Sequence, residues 1–328
     1  MKVLVTGATG FIGTAVVRAL LQTGTQVRVL IRHSSNVANL EGLQVEPAYG
    51  DLLDLPSLQQ AVTGCRQLYH VAALYALWNQ DPSLFYQVNV QGTAQLLKAA
   101  GDAGMERIVY TSTIGAIGLP KDGGLGTEET PLHPVQLAGH YKRSKYLAEK
   151  EVIRLVETGL PVVIVNPTAP VGERDVKPTP TGQIIVDFMQ GKMWAYLETG
   201  MNLVDVDDVA VGHLRAMERG RIGERYILGH QNLTFYEICH ILSRLTGIRV
   251  PRLKLPWQAV LPLAHANQWV ADFITHRSPR IPLEGVRMAK YRMHYDCSKA
   301  IRELDLPQSS VEKALEKAVQ WFRKHGYA

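Results

Sequence analysis

Tyr141-Lys142-Arg143-Ser144-Lys145 sets a phenol and an ammonium four residues apart, a spacing that places both on one face of a helix. Such a pair suits proton transfer at an alcohol or a carbonyl. A phenol ordinarily ionises near pH ~10, too high for efficient transfer at neutral pH, and a nearby lysine cation favours the phenolate. Tyr141 would take a proton from an alcohol during oxidation or deliver one to a carbonyl during reduction. Thr113, just past the run Arg107 to Thr111, would hydrogen-bond the reacting oxygen and hold it beside the phenol; Ser112 is the competing hydroxyl.

The spacing alone is cheap, because Tyr146/Lys150 and Tyr295/Lys299 share it. Helix geometry separates the first two. Tyr141, Ser144, Lys145, Ala148, Val152 and Leu155 form one stripe whose later members are small or apolar, so that stripe faces the interior. Tyr146, Lys150 and Glu157 form a largely polar face. The third pair lies near the C-terminus, far in sequence from the strands described next.

The first thirteen residues supply a partner for that chemistry. Lys2 to Thr6 reads as a buried strand, and it runs into Gly7, Gly10 and Gly13. Ile12, Ala15, Val16, Ala19 and Leu20 then follow a helical period, with Gly24 where a C-terminal cap would sit. A strand, a glycine turn and a helix start leave backbone N–H groups free for an anion, and the glycines admit a pyrophosphate. A dinucleotide is therefore expected on Gly7, Thr9, Gly10, Phe11, Ile12 and Gly13.

The second strand, Gln26 to Ile31, chooses between cofactors. An acid at its end would bind the ribose hydroxyls of NAD, whereas Arg32, followed by His33, Ser34 and Ser35, suits the extra phosphate of NADP(H). A third strand is expected over Gln44 to Ala48, with Asp51 and Leu52 beyond it near the adenine; Asp51 could equally cap its turn. The run Gln67 to Val71 ends in Ala72 and Ala73, small enough for backbone to pass close to the cofactor. Helix is expected from Ser83 to about Ala103, and again from Tyr141 to Thr158. A strand is expected over Pro161 to Asn166, and an irregular wall or lid over Pro167 to Gly182. Leu203 to Val206, Arg225 to Leu228 and a helix over Val311 to His325 are the clearest later pieces.

Alternating strands and helices predict an α/β Rossmann fold, a doubly wound parallel sheet with a smaller C-terminal lobe. Residues 1–168 would form the cofactor domain, with segments near 202–228 returning to it, and 169–328 mainly the substrate lobe.

The glycine turn TGATGFIG, the stretches YTST and YKRSK, and the later NLVDVDDVA together resemble the extended short-chain dehydrogenase/reductases over nearly the whole chain. The resemblance implies catalytic roles for Thr113, Tyr141 and Lys145, with Lys145 also holding the nicotinamide ribose. It adds Thr111, Pro167 and Thr168 to the cofactor's surroundings and puts Asn166 beside the nicotinamide. Arg32 and the general plan are similar to dihydroflavonol and cinnamoyl-CoA reductases, which use NADPH. GHYKRSK, VVIVNPTAPVG, DVKPTPTG and GERYILG more closely resemble hopanoid-associated sugar epimerases, which implies a sugar-like or polyol substrate on a polycyclic lipid. The alternatives are a reductase of the dihydroflavonol type and a non-catalytic cofactor sensor; a sensor would need the glycine turn but no proton relay.

Net charge is +5, from 35 basic and 30 acidic residues without dense basic tracts, so nucleic acid is not indicated. Cys65, Cys239 and Cys297 have no metal or redox spacing, which suits a cytoplasmic location. Asp205, Asp207 and Asp208 read as a strand end and helix start rather than metal ligands, so no metal is expected. Tyr75 and Trp78 follow a cofactor-facing strand end and His140 adjoins Tyr141. All three are substrate candidates, against packing for the aromatics and capping for the histidine. Trp257 to Ile274 reads as an apolar helix with Arg252, Lys254, Arg277 and Arg280 at its ends. It could meet the inner face of an acidic membrane, or serve as a lobe core helix or a homodimer face.

Overall fold

Strand β1 (Lys2–Thr6) sends Val3 and Val5 into one core and Leu4 into another, the alternation of a strand buried on both faces. Helix α1 (Phe11–Gln22) follows, and the chain leaves it through Gly24 at φ +74°. Next come β2 (Gln26–Ile31), β3 (Glu46–Tyr49), α2 (Leu55–Val62), β4 (Gln67–His70), α3 (Ser83–Tyr86), α4 (Thr93–Asp102), β5 (Arg107–Thr111), α5 (Gly139–Glu157) and β6 (Val162–Pro167). The second half continues with β7 (Ala169–Val171), α6 (Pro180–Met189), β8 (Ala195–Leu197), β9 (Gly200–Asp205), α7 (Val206–Arg219), β10 (Arg225–Leu228), β11 (Gln231–Thr234) and α8 (Phe235–Thr246). It ends with β12 (Leu253–Leu255), α9 (Trp257–Val270), α10 (Leu283–Met288), β13 (Arg292–Met293), α11 (Ser298–Leu304) and α12 (Val311–Lys324). The computed structural model describes residues 1–328.

Seven parallel strands form the main sheet in the order β10-β6-β5-β4-β1-β2-β3. The order reverses between β1 and β4, which opens a crevice at the carboxyl ends of those strands. One core lies under α1, α7 and α11, with Val16, Val209 and Leu304; the other lies under α2, α4 and α5, with Leu58, Leu96 and Val152. A smaller sheet, β11-β9-β13 with β7 also paired to β9, packs against α6, α8 and α12 around Phe188, Leu242 and Phe322. Helix α7 and strand β10 thus return to the main sheet, while β9 itself belongs to the small one.

Three local expectations change. The third strand starts at Glu46 rather than Gln44; it is the sheet edge, where Pro47 withholds no needed N–H. The helix from Ser83 is interrupted by a π turn over Gln87–Gly92, and a Cβ on Gly92 would stand 2.8 Å from Leu52 Cβ. The segment 167–182 is partly regular: Pro170 sits in β7, and Pro180 occupies the first turn of α6 behind a Thr179 cap. The thiols of Cys65, Cys239 and Cys297 are free and buried in three separate clusters. No helix is long and apolar enough to cross a membrane.

Candidate active site

The glycine turn at the end of β1 has a separate steric reason for two of its glycines. Gly7 takes φ +70°, and a Cβ there would lie 2.6 Å from Ala72 N, so the turn and the β4 exit pass backbone to backbone. Gly13 abuts β1: its Cβ would meet Gly7 O at 2.0 Å. Gly10 is exposed at the start of α1, and its N–H is held by Gly7 O at 2.9 Å. The N–H groups of Phe11, Ile12 and Gly13 have no backbone acceptor, no side chain caps them, and no acid lies in the first turn. That arrangement fits the phosphates of a dinucleotide. Asn39, buried, donates from Nδ2 to Thr9 O and to Arg174 O, both at 3.1 Å, and so ties the turn to the segment after β7.

Arg32 lies exposed where β2 ends, with no ion pair, and Ser35 Oγ accepts its N–H at 3.1 Å. Asp51 Oδ1 accepts the Leu53 N–H at 2.9 Å, so this carboxylate caps its own turn with one oxygen. Leu52 is buried against Gly92. Ala72 N donates to Thr6 Oγ1 at 3.2 Å, and Ala73 follows it, half-buried, along the crevice.

Helix α5 begins at Gly139, whose φ of +78° turns the chain into the helix. Ser144, Lys145, Ala148 and Val152 are buried along its inner stripe, whereas Lys150 and Glu157 are exposed. Lys145 donates from Nζ to Tyr110 Oη at 2.9 Å and to Thr111 O at 2.8 Å. Burial brings its pKa down to about 7, opposed by the Glu149 carboxylate. Tyr141 stands at the mouth, its ring 4.7 Å from that of Tyr75.

The expected depression of the Tyr141 pKa by Lys145 is not what the chain alone produces. Burial raises that phenol above its ordinary value, Tyr75 adds to the rise, and the Thr113 hydroxyl opposes it. Lys145 makes no hydrogen bond to Tyr141, because its donors go to Tyr110 and Thr111. Thr113 Oγ1 accepts the Gly115 N–H at 3.1 Å, and its own hydrogen is left to donate toward the Tyr141 phenol. The Ser112 hydroxyl is buried with no partner, whereas the Thr113 hydroxyl reaches the phenol.

A buried polar shell surrounds this group. Asn89, on the π turn, donates from Nδ2 to Ser144 Oγ at 2.9 Å, and its Oδ1 accepts Leu74 N–H at 2.7 Å. Asn166 donates from Nδ2 to Thr113 O at 3.0 Å and to Glu149 Oε2 at 2.8 Å, while its Oδ1 is buried without a partner. Pro167 ends β6, and Thr168 donates from N to Leu228 O at 3.0 Å. His70 lies between Thr6 Oγ1 (2.8 Å) and Thr93 Oγ1 (2.9 Å); burial, then the Lys145 cation, lowers its pKa to about 3. His213 Nδ1 donates to Val209 O at 2.8 Å, so its Nε2 accepts from Thr111 Oγ1 at 2.8 Å. None of His70, Glu149, His213 or Tyr110 was singled out by sequence pattern. They sit on strands and helices as ordinary half-apolar positions, and only the packed fold joins them.

The three substrate candidates part company. Tyr75 is beside Tyr141 and 45% exposed, so its outer edge is open to a ligand. Trp78 donates from Nε1 to Asp272 Oδ1 at 2.7 Å and therefore binds the loop after β4 to the end of α9. His140 pairs with Tyr86 Oη at 3.1 Å through Nδ1, and its N–H donates to Glu284 Oε1 at 2.9 Å. Glu284, from α10, is so close to the helix start that a Cβ on Gly139 would overlap its carboxylate. Burial raises Glu284 to about 7, and burial lowers neighbouring Lys142 to about 8 while Glu284 opposes. Lys142 also runs along Gly115, where a Cβ would be 3.2 Å from its Cγ. The aspartates near 205 are structural: Asp205 caps α7, Lys317 bridges Asp205 and Asp207 at 2.9 Å each, and Asp208 holds Ser309.

The family model described as the NAD dependent epimerase/dehydratase family matches residues 3–229. A Synechocystis sp. protein provisionally named dihydroflavonol 4-reductase is 47% identical, over 98% of this chain and 95% of its own. Sterol demethylase protein B of Methylococcus capsulatus is 39% identical over 99% of each chain. The crystal structure of gox2253 has a TM-score of 0.89 at 45% identity, covering 99% of each chain. A switch-point crevice, a helix start with free N–H groups and a Tyr-Lys helix beside it therefore sit in a chain that belongs to the NAD dependent epimerase/dehydratase family, among the extended short-chain dehydrogenase/reductases.

Proposed function

We propose that this enzyme is an NADP(H)-dependent oxidoreductase or epimerase acting at a carbonyl or secondary alcohol of a sugar-like or polyol group. The substrate class is the polyol side chain of a hopanoid-type polycyclic lipid. The observation that carries the chemistry is the meeting of Tyr141 and Thr113 at the crevice, with Lys145 buried one turn further along α5. The bound dinucleotide supplies or accepts the hydride. Thr113 donates its hydroxyl hydrogen to the reacting oxygen, and Tyr141 gives that oxygen a proton in reduction or takes one in oxidation. Lys145 would hold the nicotinamide ribose. Gly7, Thr9, Gly10, Phe11, Ile12 and Gly13 would hold the cofactor's phosphates, Ala72, Ala73, Thr111, Pro167 and Thr168 would line its path, and Asp51 and Leu52 would receive the adenine.

Residues 1–168 with the returning 206–228 segment and α11 serve as the cofactor domain, and most of the rest of 169–328 as the substrate lobe, in a cytoplasmic protein. The lipid reading is supported by the Methylococcus relative, named for a sterol, which is likewise a polycyclic lipid. A ketone reductase of the dihydroflavonol type is the second reading, favoured by 47% identity to the Synechocystis protein. In either, Tyr141→Phe should keep NADPH affinity and lose turnover by roughly 10²-fold or more. Unchanged turnover removes Tyr141 from the proton-transfer role, and loss of NADPH affinity places Tyr141 in binding instead.

The choice of cofactor rests on Arg32, which faces solvent unpaired at the end of β2. Fluorescence titration should find NADPH bound at least tenfold more tightly than NADH. Arg32→Asp should abolish or invert that ratio. Equal affinities in the wild type would make Arg32 a bystander and favour a retained NAD, as an epimerase that re-reduces its own intermediate requires.

A further inference from the structure

Helix α9 and the π turn that extends it to Thr275 are apolar on both sides. Ala264 and Ala271 are buried inward. Outward, Pro262, Leu263, Ala266, Trp269, Phe273 and Ile274 share one face of the helix, all of them exposed and none charged. The four large side chains are 57–69% exposed, and the Trp269 and Phe273 rings pack at 5.9 Å into a single ridge. A water-facing apolar ridge of this size marks an interaction surface.

The charges around it define the partner. Arg252 precedes α9 and Arg277 and Arg280 follow the π turn, all exposed and none in an ion pair, while Lys254 is bridged to Glu198. The acid nearest the ridge, Asp272, already accepts bonds from Trp78 Nε1 at 2.7 Å and Gln268 Nε2 at 2.9 Å. An apolar ridge rimmed by free arginines complements a surface with anionic groups outside and hydrocarbon beneath. A second copy of the chain fits less well: a twofold contact on this ridge would bring arginine rim against arginine rim.

The ridge also has a place relative to the chemistry. Trp78, bonded to Asp272, lies on the loop after β4 that carries Tyr75, and the Tyr75 ring packs at a tilt against that of Tyr141. We propose that the α9 ridge docks on an anionic lipid bilayer and holds the mouth of the active site at the membrane surface. A lipid-linked substrate would then reach Tyr141 without crossing bulk water. The purpose of the surface rests on the lipid-substrate reading, but its existence does not, and the test separates the two.

Flotation with vesicles of equal parts phosphatidylglycerol and phosphatidylcholine needs no substrate. The wild type should co-float, at least tenfold more than with phosphatidylcholine alone, and high salt should release it. Trp269→Ala with Phe273→Ala should reduce flotation more than tenfold, and Arg277→Glu with Arg280→Glu should remove the preference for anionic lipid. NADPH titration of each variant, expected to match the wild type, verifies that they are folded. A wild type that stays unfloated, or a ridge variant that floats equally, overturns the proposal. So does a dimer in sedimentation that the ridge variant splits while vesicles have no effect. Flotation combined with failure to turn over any lipid-linked polyol would leave the surface standing and sink the substrate reading.

Discussion

Lys145 is held by two buried acceptors, its ammonium donating to both the Tyr110 hydroxyl and the Thr111 carbonyl. Lys145→Met should therefore lower turnover and also destabilise the fold, by roughly 1–3 kcal/mol in urea unfolding, since a buried hydroxyl loses its donor. At Thr113 the hydroxyl is what matters. Thr113→Ser should retain activity within a few-fold, Thr113→Ala should lose about 10²-fold in kcat, and Ser112→Ala should change little. A larger loss at Ser112 than at Thr113 would reverse the assignment. The placement of Tyr141 beside Thr113, with Lys145 buried one turn along, was legible because helix spacing and a strand end bring them together from nearby stretches of chain. Glu284 was not, since it reaches His140 from 144 residues away and its α10 has no pattern to distinguish it.

At the scale of elements, the contact between α1 and β1 depends on a missing Cβ. Gly13→Ala should push α1 away from Gly7, costing roughly 1–3 kcal/mol and much of the NADPH affinity. Gly24→Ala, with nothing within 4 Å but φ +74°, should cost about 1 kcal/mol and leave NADPH binding intact. Equal effects on cofactor affinity would separate the glycine turn from the phosphate site. The inner strands of the main sheet were readable as apolar runs buried on both faces, unlike the exposed edge strand β3. The π turn was not, because its residues keep a helical period, and the extra residue is set by Gly92 packing on Leu52. The region after β6 misled for a related reason: prolines that break helices and central strands are tolerated in the edge-like β7 and in the first turn of α6.

Across the whole molecule, two pairs of buried groups pull stability in opposite directions as the pH falls. His70 and His213 are held at about 3 and about 4, so the unfolded chain gains protons below 6.5 that the folded chain refuses. Each costs stability on acidification at roughly 1.4 kcal/mol per pH unit. Glu284 and Asp175 are raised by burial to about 7 and about 6, so the folded chain takes up their protons first and gains stability over the same window. Between about pH 6 and about pH 5 the terms largely offset one another. Glu284→Gln removes one compensating acid, and its urea stability should fall over that interval by about 1 kcal/mol more than that of the wild type. Parallel pH curves for the two proteins would show that Glu284 does not carry this proton. The parallel sheet could be read from the alternation of strands and helices. This balance could not, because each of the four groups owes its shift to burial by distant segments.

The three buried thiols lie in three different cores: Cys65 beneath α2 and α4, Cys239 in the small sheet's cluster, and Cys297 beside Ile114 and Tyr295 where the two regions meet. Burial raises all three, so none reacts while its core is closed. Each is thus a clock for the opening of its own neighbourhood, read by the rate at which an alkylating reagent marks it. Cofactor should slow the clock at Cys65 and leave that at Cys239 nearly untouched, and the rate at Cys297 would report how often the two cores part company.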